Sequence, residues 1–265
     1  VVANDKYSDI TVVAIYGDGR GRIALPALKK TAAALPGSKQ LLITNVAVAT
    51  DVPQKLVAHG LDYHAYSEFV LYGLHHYIDT PYALIVQHDG WALNPDNWRD
   101  EWLTYDYVGG LTHAALTSYG QYKIMYTWWG ESDIRVVQNG GFSLRSKAML
   151  EAPSKYGIMR NQMPDPMLMN EDVQVCCFMR PALENVGIQF CPDELSKYFS
   201  FEHLGPPHEG MDLTKVFGHH ARFRQLLDND KVLWKLTKEQ MANFLGEDAV
   251  FALFADHYKY EMLMA

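Results

Sequence analysis

Short apolar runs and helically spaced apolar positions succeed one another from the start of the chain. Ile10-Thr11-Val12-Val13-Ala14-Ile15-Tyr16 is a β-branched run that ends in a glycine cluster, which predicts a buried strand over 9–16. The Ala- and Leu-rich stretch after it has apolar residues three and four apart and is stopped by Pro36-Gly37, which predicts a helix over 23–35. Residues 40–45 predict a second buried strand, completing a strand–helix–strand unit whose two strands are parallel and whose crossover is right-handed. Ser67 and Glu68 open a second predicted helix that runs to about Ile78 and is ended by Thr80-Pro81. A third strand over 82–87 then delivers His88-Asp89-Gly90-Trp91 to the carboxyl end of the sheet, where open α/β folds place ligands.

Further along, Asp106-Tyr107-Val108-Gly109-Gly110 predicts a short strand and turn, and 111–136, aromatic but aperiodic, predict an ordered loop region. Residues 136–145 read as strand, glycine turn and strand, with a helix from Ser146. Asn170-Glu171-Asp172-Val173 caps a helix carrying Val175, Cys176, Phe178 and Met179. The loop-rich stretch 181–223 predicts a closing flap, and helical spacing over 238–265 predicts one or two terminal helices. The expected organisation is a domain over 1–225, with 226–265 as a helical extension packed on it.

Composition narrows the class. With 48% hydrophobic and 20% charged residues over 265 positions, the chain is of globular type and long enough to need no disulfide or metal staple. Its 23 basic residues against 31 acidic ones, a formal charge of -8, work against broad nucleic-acid binding, although local arginines could outweigh the global sign at a nucleic-acid acceptor. No apolar stretch reaches the ~20 residues of a membrane helix. Cys176, Cys177 and Cys191 cannot all pair internally and lack zinc-type spacing, so a reducing, cytoplasmic setting with core thiols is expected. The first residues lack the layout of a secretory signal.

Four places can carry chemistry. Asp89, followed by Gly90, can hold a hard cation whose remaining ligands are substrate phosphates, or serve as a turn aspartate; His88 beside it is a second ligand or a polar filler. Glu171 and Asp172 stand at a helix start, where the ionised form is favoured, as general base or as cap, and Gly140-Gly141 upstream admits close backbone approach or simply a hairpin. His219 and His220 can complete a metal shell begun by Asp89. Gly17-Asp18-Gly19-Arg20-Gly21-Arg22 offers backbone amides and two guanidinium groups as a diphosphate cradle, without Walker or dinucleotide spacing.

The order of these parts resembles the GT-A glycosyltransferases. More narrowly, residues 82–91, Asn94-Pro95-Asp96-Asn97-Trp98, 105–109, 139–145 and 170–173 resemble an uncharacterised family of glycosyltransferase-like proteins, over roughly residues 10–223. The resemblance implies a GT-A-like, Rossmann-type mixed sheet flanked by helices. It also implies an inverting hexosyl- or related transferase that moves sugar from a nucleotide-sugar donor, a UDP-sugar first, to a hydroxyl of a glycan, glycolipid or other biomolecule.

In such enzymes an acidic motif binds Mn²⁺ or Mg²⁺ on the leaving diphosphate. Here Asp89 stands in that position, Gln87 or His88 replaces the first acid, and His220 matches the late histidine. The acceptor's base falls on Glu171 or Asp172, with Asp172 preferred. Tyr16, Gly17, Arg20 and Arg22 would lie against the nucleotide together with His88, Asp89 and Gly90, with Asp51 and Tyr66 as weaker neighbours. Trp91, Trp128, Trp129, Asn139, Gly140 and Gly141 would line the acceptor cleft. Two other readings stay open: a non-catalytic nucleotide- or carbohydrate-binding module on the same scaffold, and a nucleotidyltransferase.

Overall fold

A parallel core is built around β1 (Ile10–Tyr16), every residue of which is buried. It lies between β2 (Lys39–Thr44) and β4 (Tyr82–Val86), parallel to both, and β3 (Gln54–Leu56) extends the sheet beyond β2. The computed structural model describes residues 5–58, 60–117, 120–124, 134–234 and 246–264. Alternation along β1 explains why both sheet faces are covered. Val12, Ala14 and Tyr16 pack with Leu25, Leu28 and Ala32 of α1 (Leu25–Ala34), whereas Val13 and Ile15 share a cluster with Val70 of α2 (Tyr63–Tyr72), Leu74 and Ile78.

The sheet becomes mixed after β4. That strand pairs antiparallel with β8 (Ile134–Ser146), and β8 pairs antiparallel with β6 (Tyr107–Thr117), which also carries the hairpin partner β7 (Tyr122–Ile124). Two-residue strands finish the sheet: β9 (Ser200–Phe201) is parallel to β6 and to β10 (Gly218–His219), and β5 (Trp91–Ala92) closes antiparallel on β10. The order is β3-β2-β1-β4-β8-β6-β9-β10-β5. The expected mixed α/β sheet flanked by helices is therefore present.

Several elements depart from the expectation. Helix α2 starts four residues earlier than Ser67 because Asp62 is its cap, accepting from the amides of His64 and Ala65; the remainder of the predicted run is a 3-10 turn at Leu74–Tyr77. The glycine pair does not turn the chain, since 136–145 lie within the continuous strand β8. The strand expected at 106–110 continues to Thr117, taking in the first part of the aromatic stretch. Helix α3 (Lys147–Tyr156) begins after Ser146, as expected, with the Ser146 hydroxyl accepting from the Met149 amide.

The largest difference is the predicted flap. Residues 181–223 supply β9 and β10 to the sheet, with Phe199, Phe201, Phe217 and His219 fully buried. Strands of two residues are too short to show a period, which is why they read as loop.

Residues 226–265 contain more than helix. A second sheet orders β11 (Phe223–Leu226), β12 (Lys231–Trp234) and β13 (Glu261–Leu263), beside a six-residue helix at Glu247–Ala252. Phe223, Leu226, Val232, Val250, Phe254 and Tyr260 share one apolar cluster with Ala27, Trp91 and Phe201 of the main sheet layer. The three cysteines are buried and free. Among the described residues no helix is long and apolar enough to cross a membrane.

Candidate functional site

Three strand ends meet at one edge of the sheet. β4 runs out into Gln87-His88-Asp89-Gly90, β9 into Glu202 and β10 into His220. Because β10 pairs with both β5 and β9, His220 is held between the other two ends: its amide donates to the Phe201 carbonyl, and the Ala221 amide donates to the Asp89 carbonyl. The side chains follow. His220 Nδ1 lies 3.2 Å from Glu202 Oε2, and its Nε2 lies 3.2 Å from Gln87 Oε1 and 3.7 Å from Asp89 Oδ1.

Charge follows from that geometry. Burial works against a protonated ring, but Asp89 and Glu202 outweigh it and push the His220 pKa up to about 9. Burial likewise opposes the Glu202 carboxylate, yet hydrogen bonds from His203 and His220 hold it well below the usual range. His219, one residue away, points the other way into Trp91, Phe223 and Phe254, and burial keeps it neutral.

Helix α4 (Glu171–Val173), which continues as a π-turn, brings the acid pair to the same place by crossing β8. The two acids diverge there. Glu171 is buried, with Arg145 Nη2 2.8 Å from each of its carboxylate oxygens, and Arg145 is itself 1% exposed. Asp172 is only half-buried; its Oδ2 accepts from the Gly140 amide at 3.1 Å and its Oδ1 from the Val173 amide at 2.8 Å. Burial first, then the neighbouring Glu171 and Glu202 charges, push the Asp172 pKa up to about 7. A carboxylate poised at that value can exchange a proton near neutrality.

The glycines make room for these side chains rather than for substrate. A Cβ on Gly140 would overlap the Glu171 carboxylate, and one on Gly141 would overlap the His220 ring. Gly141→Ala is therefore expected to cost about 1–3 kcal/mol through overpacking and to break the His220–Asp89 contact. Loss of the upper limb of any pH profile together with a lower melting temperature would reveal it.

Other expected site residues fall in different roles. Tyr16 has a buried ring, and its hydroxyl bonds both the backbone amide (2.8 Å) and Nδ1 (2.6 Å) of His88, so it orients His88 and offers no face for stacking on a base. Gly17 packs on Leu61 and accepts its amide at 2.7 Å. Arg20 is tied to Asp18, and Arg22 is exposed on the same loop. Gly90 sits in the turn against His219 and His220.

Trp91, expected to stack on sugar, is 0% exposed and donates to the Tyr260 hydroxyl, so it is core. Asn139 is buried and spends its amide on Gly110, Ser200 and Phe142, which removes it from the cleft lining. Asp51 is paired with Lys29 on the surface, whereas Tyr66 reaches the site, its hydroxyl 3.1 Å from Gln87 Nε2. Trp128 and Trp129 lie outside the described residues.

Glu202 and Arg145 were missed as site residues. Phe199-Ser200-Phe201-Glu202 repeats in miniature the signature of Asp89, an apolar run ending in an acid, but lies where no period was legible. Asp89 and His220 do converge, yet both ring nitrogens of His220 face carboxylate or amide oxygens. Among the described residues no group of three or more His, Cys, Asp or Glu could hold a metal ion. Asp89 Oδ1, 3.7 Å from His220 Nε2, is a carboxylate oxygen at this strand end that could meet a cation.

The fold and site define an α/β protein in which Asp89 and Glu202 flank the His220 ring at the carboxyl edge of the parallel strands, with Asp172 held by the Gly140 amide of β8. The chain belongs to the family described as protein of unknown function (DUF5672), whose model matches residues 61–220 and so spans Asp89, Asp172, Glu202 and His220. No curated protein matches the chain. Among solved structures it is similar to the "Crystal structure of a glycosyltransferase involved in the glycosylation of the major capsid of PBCV-1", at 13% identity over 80% of this chain and 91% of that one, with a TM-score of 0.45.

Proposed function

We infer that this protein is an inverting glycosyltransferase that moves a sugar from a nucleoside-diphosphate sugar to a hydroxyl acceptor. The observation that carries the reading is geometric: Asp172, half-buried and held by the Gly140 and Val173 amides, stands at the same end of the sheet as the His220 ring, which is fixed between Glu202 and Asp89. Displacement at an anomeric carbon needs a base on the acceptor side and positive charge on the leaving-phosphate side, nearly in line. Asp172 is the base in this reading, because both oxygens of Glu171 are held by Arg145.

His220 supplies the positive charge, with its ring oriented by Glu202 and Asp89. A divalent ion on the diphosphate would find Asp89 as its protein ligand and would add charge neutralisation there. His88, oriented by Tyr16, lies 3.7 Å from Asp89 on the same side and completes the phosphate end. The order of parts in the sequence, which resembles GT-A enzymes, supports the same assignment, and a uridine nucleotide is the first donor to try.

The test is a panel of nucleotide sugars incubated with the protein in Mn²⁺, in Mg²⁺ and in chelator, read by released nucleoside diphosphate. Release that disappears in Asp89→Ala is expected. Released pyrophosphate would assign nucleotidyl transfer instead, and thermal stabilisation by nucleotide sugars without turnover would assign a binding module.

A further inference from the structure

With Trp91 in the core, the one described residue among those expected to stack on sugar is removed from the site. Helix α2 supplies another. Its residues Tyr63 and Tyr66, three apart and so on one face, stand at the end of the helix that packs against α4. Tyr66 is half-buried with its hydroxyl against Gln87, whereas Tyr63 is 63% exposed. Burial of its hydroxyl, then the Asp172 charge, raise the Tyr63 pKa, with Glu171 and Glu202 acting in the same sense and Asn170 beside the hydroxyl. The exposed ring thus borders the same acids that face the reaction. His64 packs edge-on at 5.9 Å and 76°, and the Asp62 cap holds the turn below.

We propose that Tyr63 is the platform on which a neutral pyranose acceptor stacks at the mouth of the Asp172 cleft. An exposed tyrosine ring, packed edge-on by His64, offers a large apolar face at little entropic cost, suited to the C–H face of a sugar ring. The charge at the Tyr63 end selects the class: the charged groups acting on the ring are the carboxyl groups of Asp172, Glu171 and Glu202, of which Glu171 is paired with Arg145 and Glu202 with His220, so Asp172 is left to repel an anionic acceptor such as a uronide. The assignment rests on the glycosyl-transfer reading for the word acceptor, but the platform itself is a binding claim that can be measured without turnover.

Saturation-transfer NMR is run on the full chain in uridine diphosphate, with methyl glucoside, methyl galactoside, methyl mannoside and methyl glucuronide as probes. Wild type and Tyr63→Phe should give signal from at least one neutral glycoside and weaker signal from the glucuronide, and Tyr63→Ala should lose about tenfold in affinity with an unchanged melting temperature. Where transfer is measurable, Tyr63→Ala should raise the acceptor KM by a similar factor, and Tyr63→Phe should restore it. Wild-type signal in Tyr63→Ala, equal signal from the glucuronide, or no signal from any neutral glycoside in wild type overturns the platform. If wild type turns over no nucleotide sugar while the Tyr63-dependent signal persists, it is the transferase reading that fails.

Discussion

Asp172→Asn is expected to lower transfer by about 10²–10⁴-fold, the usual worth of a positioned general base, while donor binding measured by calorimetry stays nearly unchanged. Through its single oxygen the carboxamide keeps one of the two hydrogen bonds from the Gly140 and Val173 amides, its NH2 being a donor only, and it can no longer take the acceptor's proton, so most of the loss belongs to the transition state. The wild-type pH profile should be bell-shaped. Its rising limb lies near 7, where Asp172 loses its proton, and its falling limb near 9, where His220 loses its charge.

The same titrations bear on stability with a definite sign. The folded pKa of His220 is raised above 6.5, so its contribution is complete below 6.5 and is lost as the pH rises through about 9. Asp172 is raised from 3.8 to about 7, and it too withdraws stability as the pH rises through that value. A melting temperature that climbs between pH 7 and 9 would contradict the His220 assignment, and a transfer rate that does not rise as the pH passes through about 7 would contradict that of Asp172.

Arg145→Met is expected to destabilise the fold by about 3–5 kcal/mol, because it strands the Glu171 carboxylate without its cation in a site closed to water. Arg145 is 1% exposed and Glu171 4%. At roughly 2–4 °C per kcal/mol for a chain of this size, the melting temperature should fall by on the order of 10 °C. Pairing the change with Glu171→Leu should recover much of the loss, since replacing both members of a buried ion pair by apolar groups is often neutral. A double variant as unstable as the single one would mean that Arg145 acts through packing on Tyr107, over which its guanidinium sits at 4.8 Å, and not through the ion pair.

Arg145 also shows where sequence reasoning stopped. It was visible at the end of an apolar strand and Glu171 at a helix start 26 residues later, but neither position says that the two meet beneath Gly140. Gly140 and Gly141 read equally well as a hairpin. What settled the matter was that Glu171 occupies the space of one absent side chain and His220 that of the other. Trp91 failed as a cleft residue for a related reason: residue type suggests stacking, whereas β5 pairing with β10 carries its ring into the core.

Local pattern alone determined β1, α1, β2 and β4, the helix start after Ser146, the buried thiols and the delivery of Asp89 to a strand end. Burial of successive positions on one face or both leaves a period or a run that is written in neighbouring residues. Tertiary structure alone decided that 181–223 enter the sheet and that Glu202 and Asp89 clamp His220. It also decided that Arg145 pairs with Glu171 while Asp172 accepts from backbone amides, and that Tyr63 stands exposed. Those outcomes depend on two-residue strands and on distances between charges far apart in the chain. Proton affinity and ion pairing are set by what lies within a few ångströms, which no local spacing encodes.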